Sequence, residues 1–169
     1  MKSLKEQAEY YRLCLALSFV TVADVVAWAD TVILNSVDLS PQIIELALAG
    51  NRYKDEVMDC LSAIPGHCDY ESIAITVFQE IQERHRDTEN QEGQIKLIRL
   101  FFETVKLPNN NRELSCLFET DLWCLEDGYG SLDEIKQEII EYLFQWREKK
   151  RSATSSPTQP SSSPPGQAY

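Results

Sequence analysis

The stretch "FETDLWCLEDGYGSLDEI", Phe118 to Ile135, decides how this chain is read. It carries six acids, a tryptophan, a tyrosine and two closely spaced glycines. Gly128 stands where a left-handed residue closes a helix, and Ser131 with Glu134 forms a capping box that opens the next one. The segment is therefore first a joint between two helices. A calcium loop does not fit. With Gly128 or Gly130 at the sixth loop position, the first ligand position falls on Trp123 or Leu125, and neither binds calcium.

The same reading extends outward in both directions. Leu114, Phe118, Leu122 and Leu125 make the stripe before the joint, and Ile135, Ile139, Leu143 and Trp146 the stripe after it. Upstream, Leu4, Ala8, Tyr11, Leu15 and Phe19 lie at helical spacing, followed by Val22, Val25, Val26, Ala29, Val32 and Ile33. Ser40-Pro41 opens a helix with an N-cap and a proline at its first position, and Gly50 is the expected stop. Tyr53, Val57, Leu61 and Ile64 form the next stripe, ended by Pro65-Gly66. Asp69 caps a helix carrying Ile73, Val77 and Ile81. "RDTENQEG" reads as a loop, and Ile95, Ile98, Phe102 and Val105 follow it, with Pro108 closing. Asn110 or Asn111 then caps the helix that leads back to the joint. The expected fold is all-α: about eight helices in antiparallel hairpins, roughly 2–35, 41–65, 70–106 and 111–150, forming a compact bundle. A short helical-repeat stack is the alternative, though no repeat of fixed period is visible.

Length and charge bound the rest. The chain has 169 residues, enough for one domain, and 16 basic against 27 acidic residues, a net charge of −11. That balance argues against nucleic acid, whose binding needs cations to neutralise phosphate. It steers the chain toward basic partners. From Glu113 to Glu141 nine acids face one base, Lys136, before Arg147, Lys149, Lys150 and Arg151 turn the sign. Those cations complement a helix C-terminus rather than form a membrane or RNA patch. The five cysteines form no CxxC pair and read as reduced thiols of a cytoplasmic protein. "LCLALSFVTVA" is apolar, but Glu6 and Glu9 precede it where a signal peptide is positive. Residues 1–151 are expected to form one domain. Residues 152–169, with six serines, four prolines and no charge, are expected to form a disordered tail.

No constellation carries recognisable chemistry. HExxH, GxSxG, GxGxxG and a phosphate-binding glycine loop are all absent. "GHCDYE", His67 to Glu71, sets His, Cys and Asp in a row, and adjacent side chains diverge too far to share a metal. His85 ends a helix, where its charge suits the dipole. Asp24 and Asp30 flank Trp28 as the wet side of a core helix. No metal, cofactor or catalytic residue is assigned. What remains is the acidic joint. Trp123 lies off the buried stripe, and with Tyr129 it flanks Glu126 and Asp127, while Glu119 and Asp121 stand one to two turns before. Aromatic anchors ringed by like charge suit a basic protein surface. These six residues form the candidate partner site, and reversing Glu126 and Asp127 to lysine is expected to weaken binding without unfolding.

"WADTVILNSVDLSPQIIELALAG" (28–50), "DEVMDCLSAIPG" (55–66) and "DLWCLEDGYGSLDEIKQEIIEYL" (121–143) together resemble small all-helical bacterial proteins. Some of these are immunity proteins that neutralise a toxin delivered by a neighbouring cell. The resemblance implies an acidic, non-enzymatic binder of a basic toxin surface. Two other classes stay open: an enzyme using buried carboxylates, marked by a polar pocket holding several acids, and a scaffold or homo-oligomer, marked by a large exposed apolar face.

Overall fold

The computed structural model describes residues 3–36, 40–85, 90–105 and 111–154. They form eight helices: α1 (Leu4–Ala16), α2 (Val22–Asn35), α3 (Pro41–Ala47), α4 (Lys54–Ala63), α5 (Tyr70–Arg84), α6 (Gln91–Thr104), α7 (Asn111–Glu126) and α8 (Leu132–Thr154). No strand occurs among the described residues. The expected tail begins at residue 152, but α8 runs on to Thr154, and the remainder lies outside the described residues.

Local chemistry explains most helix ends. Ser3 and Glu6 form a capping box on α1, and Thr21 and Asp24 form another on α2. Asp24 therefore serves its own helix, and the hydrogen bonds from Thr21 hold its carboxyl below the ordinary range. Asp69 accepts from the Ser72 amide at the start of α5. Two boundaries differ from the sequence reading. α3 ends at Ala47, short of Gly50. "QEG" is helix rather than loop, because the Asn90 side chain takes the Gly93 amide at 2.9 Å and starts α6 at Gln91. A Cβ at position 93 would lie 2.5 Å from the Asn90 side-chain amide, so a larger residue there would make that side chain shift.

Two apolar clusters fill the interior, and α1 walls both. Ala8 and Leu15, with Leu4 and Tyr11 beside them, face α2, α3 and α4. Leu13, Cys14 and Leu17, with Tyr10, face α5 to α8. The second stripe of α1 was not singled out in the sequence, where one stripe satisfies the period. The uninterrupted "LCLAL" at 13–17 was its signal, since a helix apolar all round is buried all round. Sequential neighbours pack as expected at α2–α3, α3–α4, α6–α7 and α7–α8, but α1 packs mainly on α4 and α5, and α5 on α8. α1 and α2 still meet where Trp28 stacks on Tyr11 with ring centroids 4.8 Å apart and donates its N–H to Gln7.

Cations supplied by neighbouring helices cap three helix ends. α1, α4 and α6 have no base in their last turns. Lys54 of α4 donates to the Ala16 carbonyl of α1 at 2.9 Å. Lys5 of α1 donates to Ser62 of α4 at 2.6 Å, and Arg12 of α1 to Thr104 of α6 at 3.0 Å. Each brings positive charge to the negative end of a helix dipole while satisfying a last-turn carbonyl. Lys5 is buried. Replacing it with methionine keeps the apolar stem and removes the hydrogen bond to the Ser62 carbonyl. The expected loss is about 1–3 kcal/mol in chemical denaturation. A loss below about 0.3 kcal/mol would show that water replaces the ammonium.

Candidate functional site

The site is built on the last two turns of α7 and the turn into α8. Phe118, Leu122 and Leu125 are buried and lock the orientation of α7. The side chain of Leu114, the first residue of the expected stripe, lies outside the described residues. At about 100° per residue, Glu119, Trp123, Glu126 and Asp127 fall on one side of α7. Asp121 lies roughly 160° round the helix from Trp123 and is half-buried. The six predicted residues thus divide: four share a side of α7, Tyr129 lies exposed on the turn that follows, and Asp121 stands apart. The turn is held by the backbone. The amide of Gly128 donates to Leu125, and that of Tyr129 to Cys124 at 2.8 Å. Gly128 (φ 85°) and Gly130 (φ 92°) both adopt the left-handed region that the joint requires. The Ser131 cap on Glu134 is long, at 3.5 Å.

Trp123 is 61% exposed and Tyr129 72% exposed. Neither contributes to a core cluster. Indole is costly to leave in water, so an exposed tryptophan beside an exposed tyrosine marks a contact surface more specifically than scattered aliphatics do.

Two of the acids are engaged inside the chain. Arg99 of α6 reaches across to α7, its Nε 3.0 Å from Glu119 and its Nη1 2.6 Å from Glu126, with Nη2 on the second Glu126 oxygen at 3.2 Å. Arg99 was not among the predicted site residues; nothing in sequence spacing ties position 99 to positions 119 and 126. Its hydrogen bonds hold the Glu126 carboxyl below the ordinary range. Charge at Glu126 therefore persists at mildly acidic pH and is lost only as pH falls through that depressed value. This pairing corrects the expected test. Reversing Glu126 would also cut the tie between α6 and α7, whereas the Asp127 side chain has no hydrogen bond or ion pair among the described residues.

Between α6 and α7 lies an open cleft of about 460 Å³. Ile95 and Leu125 line it beside Gln91, Glu92 and Glu126. Glu92 pairs with Lys96 one turn on, at 2.5 Å.

Comparisons with protein-family models, curated proteins and solved structures find nothing that matches this chain. All five thiols are free. Burial, then the nearby Glu9 charge, pushes Cys68 up to about 12; burial, then Glu45, pushes Cys60 up to about 11. Neither is a thiolate nucleophile near neutral pH. In "GHCDYE", Cys68 is buried, Asp69 caps α5 and His67 is exposed, so the three side chains go separate ways. His85 sits at the C-cap of α5. No helix among the described residues is long and apolar enough to cross a membrane.

The rival readings each find a feature. Glu9 and Glu71 are buried carboxylates. Glu9 is held by Arg12, and the clefts described between α6 and α7, beside Phe19 and along the end of α8 are lined by neither glutamate. Leu34, Leu48 and Tyr53 are exposed on the α2–α4 side, with Ile44 of α3 one turn before Leu48, the residue that closes that helix.

Proposed function

We propose that this chain is a non-enzymatic protein-binding module whose α7–α8 corner engages a basic surface of another protein. The observation that carries the reading is the exposure of Trp123 and Tyr129 beside Glu119, Glu126 and Asp127. Aromatic rings supply contact area at small entropic cost, and the acids select a partner of opposite sign. Net charge −11 extends that attraction over the whole molecule. The resemblance to immunity proteins makes a basic toxin the natural form of such a partner. Five free thiols suit a reducing, cytoplasmic setting.

The test compares the wild type with a Trp123→Ala/Asp127→Lys variant, both immobilised and exposed to lysate of the source cell at low and high salt. A basic protein held by the wild type, released by salt and lost by the variant is expected. Equal retention by the two proteins would remove the corner as the site. Thermal melting of the variant within about 2 °C of the wild type is also expected, since exposed substitutions lie within about 0.5 kcal/mol.

A further inference from the structure

We infer that the cleft between α6 and α7 is a slot for one long cationic side chain of the partner, an arginine in preference to a lysine. The inference rests on the proposed binding role of the corner and adds the chemistry of its anchor. Ile95 and Leu125 floor the cleft, the aliphatic stems of Gln91, Glu92 and Glu126 complete its hydrocarbon, and Glu92 and Glu126 supply carboxylates. That order of surfaces matches an arginine, whose apolar stem covers hydrocarbon while its charged head stays at a polar rim. A cleft of about 460 Å³ accepts such a side chain with space for water.

Glu126 has capacity for it. The carboxylate accepts two hydrogen bonds from Arg99, and an ionised carboxylate offers about four acceptor positions. Arg99 also displays the recognition geometry, because its planar fork meets both Glu126 oxygens. A lysine ammonium cannot form that fork. The opposite rim is easily opened. Lys96 and Glu92 are 69% and 73% exposed, and a pair so exposed is worth little, so Glu92 can exchange Lys96 for an incoming guanidinium. Trp123 lies about 60° round α7 from Glu126, where its ring can flank the peptide that carries the arginine.

The probe is an acetylated tri-arginine peptide, with tri-lysine as the comparison, titrated into the full chain and followed by amide and methyl NMR. Saturable shifts at the Ile95 and Leu125 methyls, larger for tri-arginine than for tri-lysine, are expected. Glu92→Gln should weaken tri-arginine binding by about two- to fivefold. Glu126→Gln should do the same, and Glu92→Gln serves where loss of the Arg99 pair disturbs α7. Shifts confined to Trp123, Asp127 and Tyr129 would overturn the slot and leave the corner as a binding surface. Equal response to the two peptides at the cleft would overturn the arginine preference. No response at either place would overturn both the slot and the corner.

Discussion

Replacing Arg12 with alanine is expected to destabilise the protein by about 3–5 kcal/mol. Arg12 and Glu9 lie one turn apart on α1 with side chains 5% and 2% exposed. The guanidinium meets both Glu9 oxygens and also donates to the Thr104 carbonyl at the end of α6. Removing it leaves a carboxylate in a closed interior with no counter-ion and strips a helix end of its cation. Domains of this size are stable by only about 5–15 kcal/mol, so the variant should sit near the edge of folding. The companion Glu9→Met/Arg12→Met variant should recover most of the loss, because a desolvated pair gains little over apolar side chains of similar size. Urea midpoints of the wild type and both variants decide it. A single-variant loss below about 1 kcal/mol would mean that water reaches Glu9 and that the pair is not closed off.

A second large effect is expected at Phe101. This ring is fully buried on α6, its centroid 5.1 Å from Phe78 of α5 and 5.8 Å from Phe102. Phe102 stacks on Phe118 of α7, which meets Tyr142 of α8 edge-on. The aromatic series therefore links four helices, with α6 contributing two adjacent rings, Phe101 and Phe102. Phe101→Ala should cost about 3–5 kcal/mol through lost burial and the cavity left behind. The loss should also reach the other cluster, since α1 is a wall of both. With Trp123 and Trp146 replaced by phenylalanine, Trp28 reports on the α2–α4 side, where it packs. Its fluorescence transition should move with the circular-dichroism transition to the same lower urea concentration. A Trp28 transition that stays in place would show that the two clusters unfold separately.

These effects fall on residues whose roles differ in how far they could be read in advance. Phe118, Leu122 and Leu125 repeat at helical spacing, and all three are buried. Asp69 sits where a cap belongs, and it caps; Asp24, expected only on the wet side of its helix, also closes a capping box with Thr21. Trp123 falls off its stripe, and it is exposed. Asn90 is not legible as a cap in the sequence, because a polar run resembles a loop until one asparagine holds the amide three residues on. Glu119 and Glu126 both belong to the expected partner site, but their engagement with Arg99 is not visible in the sequence, and Asp121 is expected with them although the helix turns it away.

Sequence alone determined the local part of this protein: all helix, where several helices begin, one apolar side of most of them, and that an acidic, aromatic joint precedes the last. Caps and stripes act over three or four residues, so they are written in consecutive residues. Tertiary structure decided which stripe meets which. It set α1 between two clusters, closed Glu9 and Arg12 away from water, and sent Lys5, Lys54 and Arg12 to the ends of other helices. It also drew Arg99 onto the candidate site and opened the cleft between α6 and α7. The reason is physical: a period of 3.6 residues defines an apolar face but does not name its partner, and that choice is made by close packing of the whole chain.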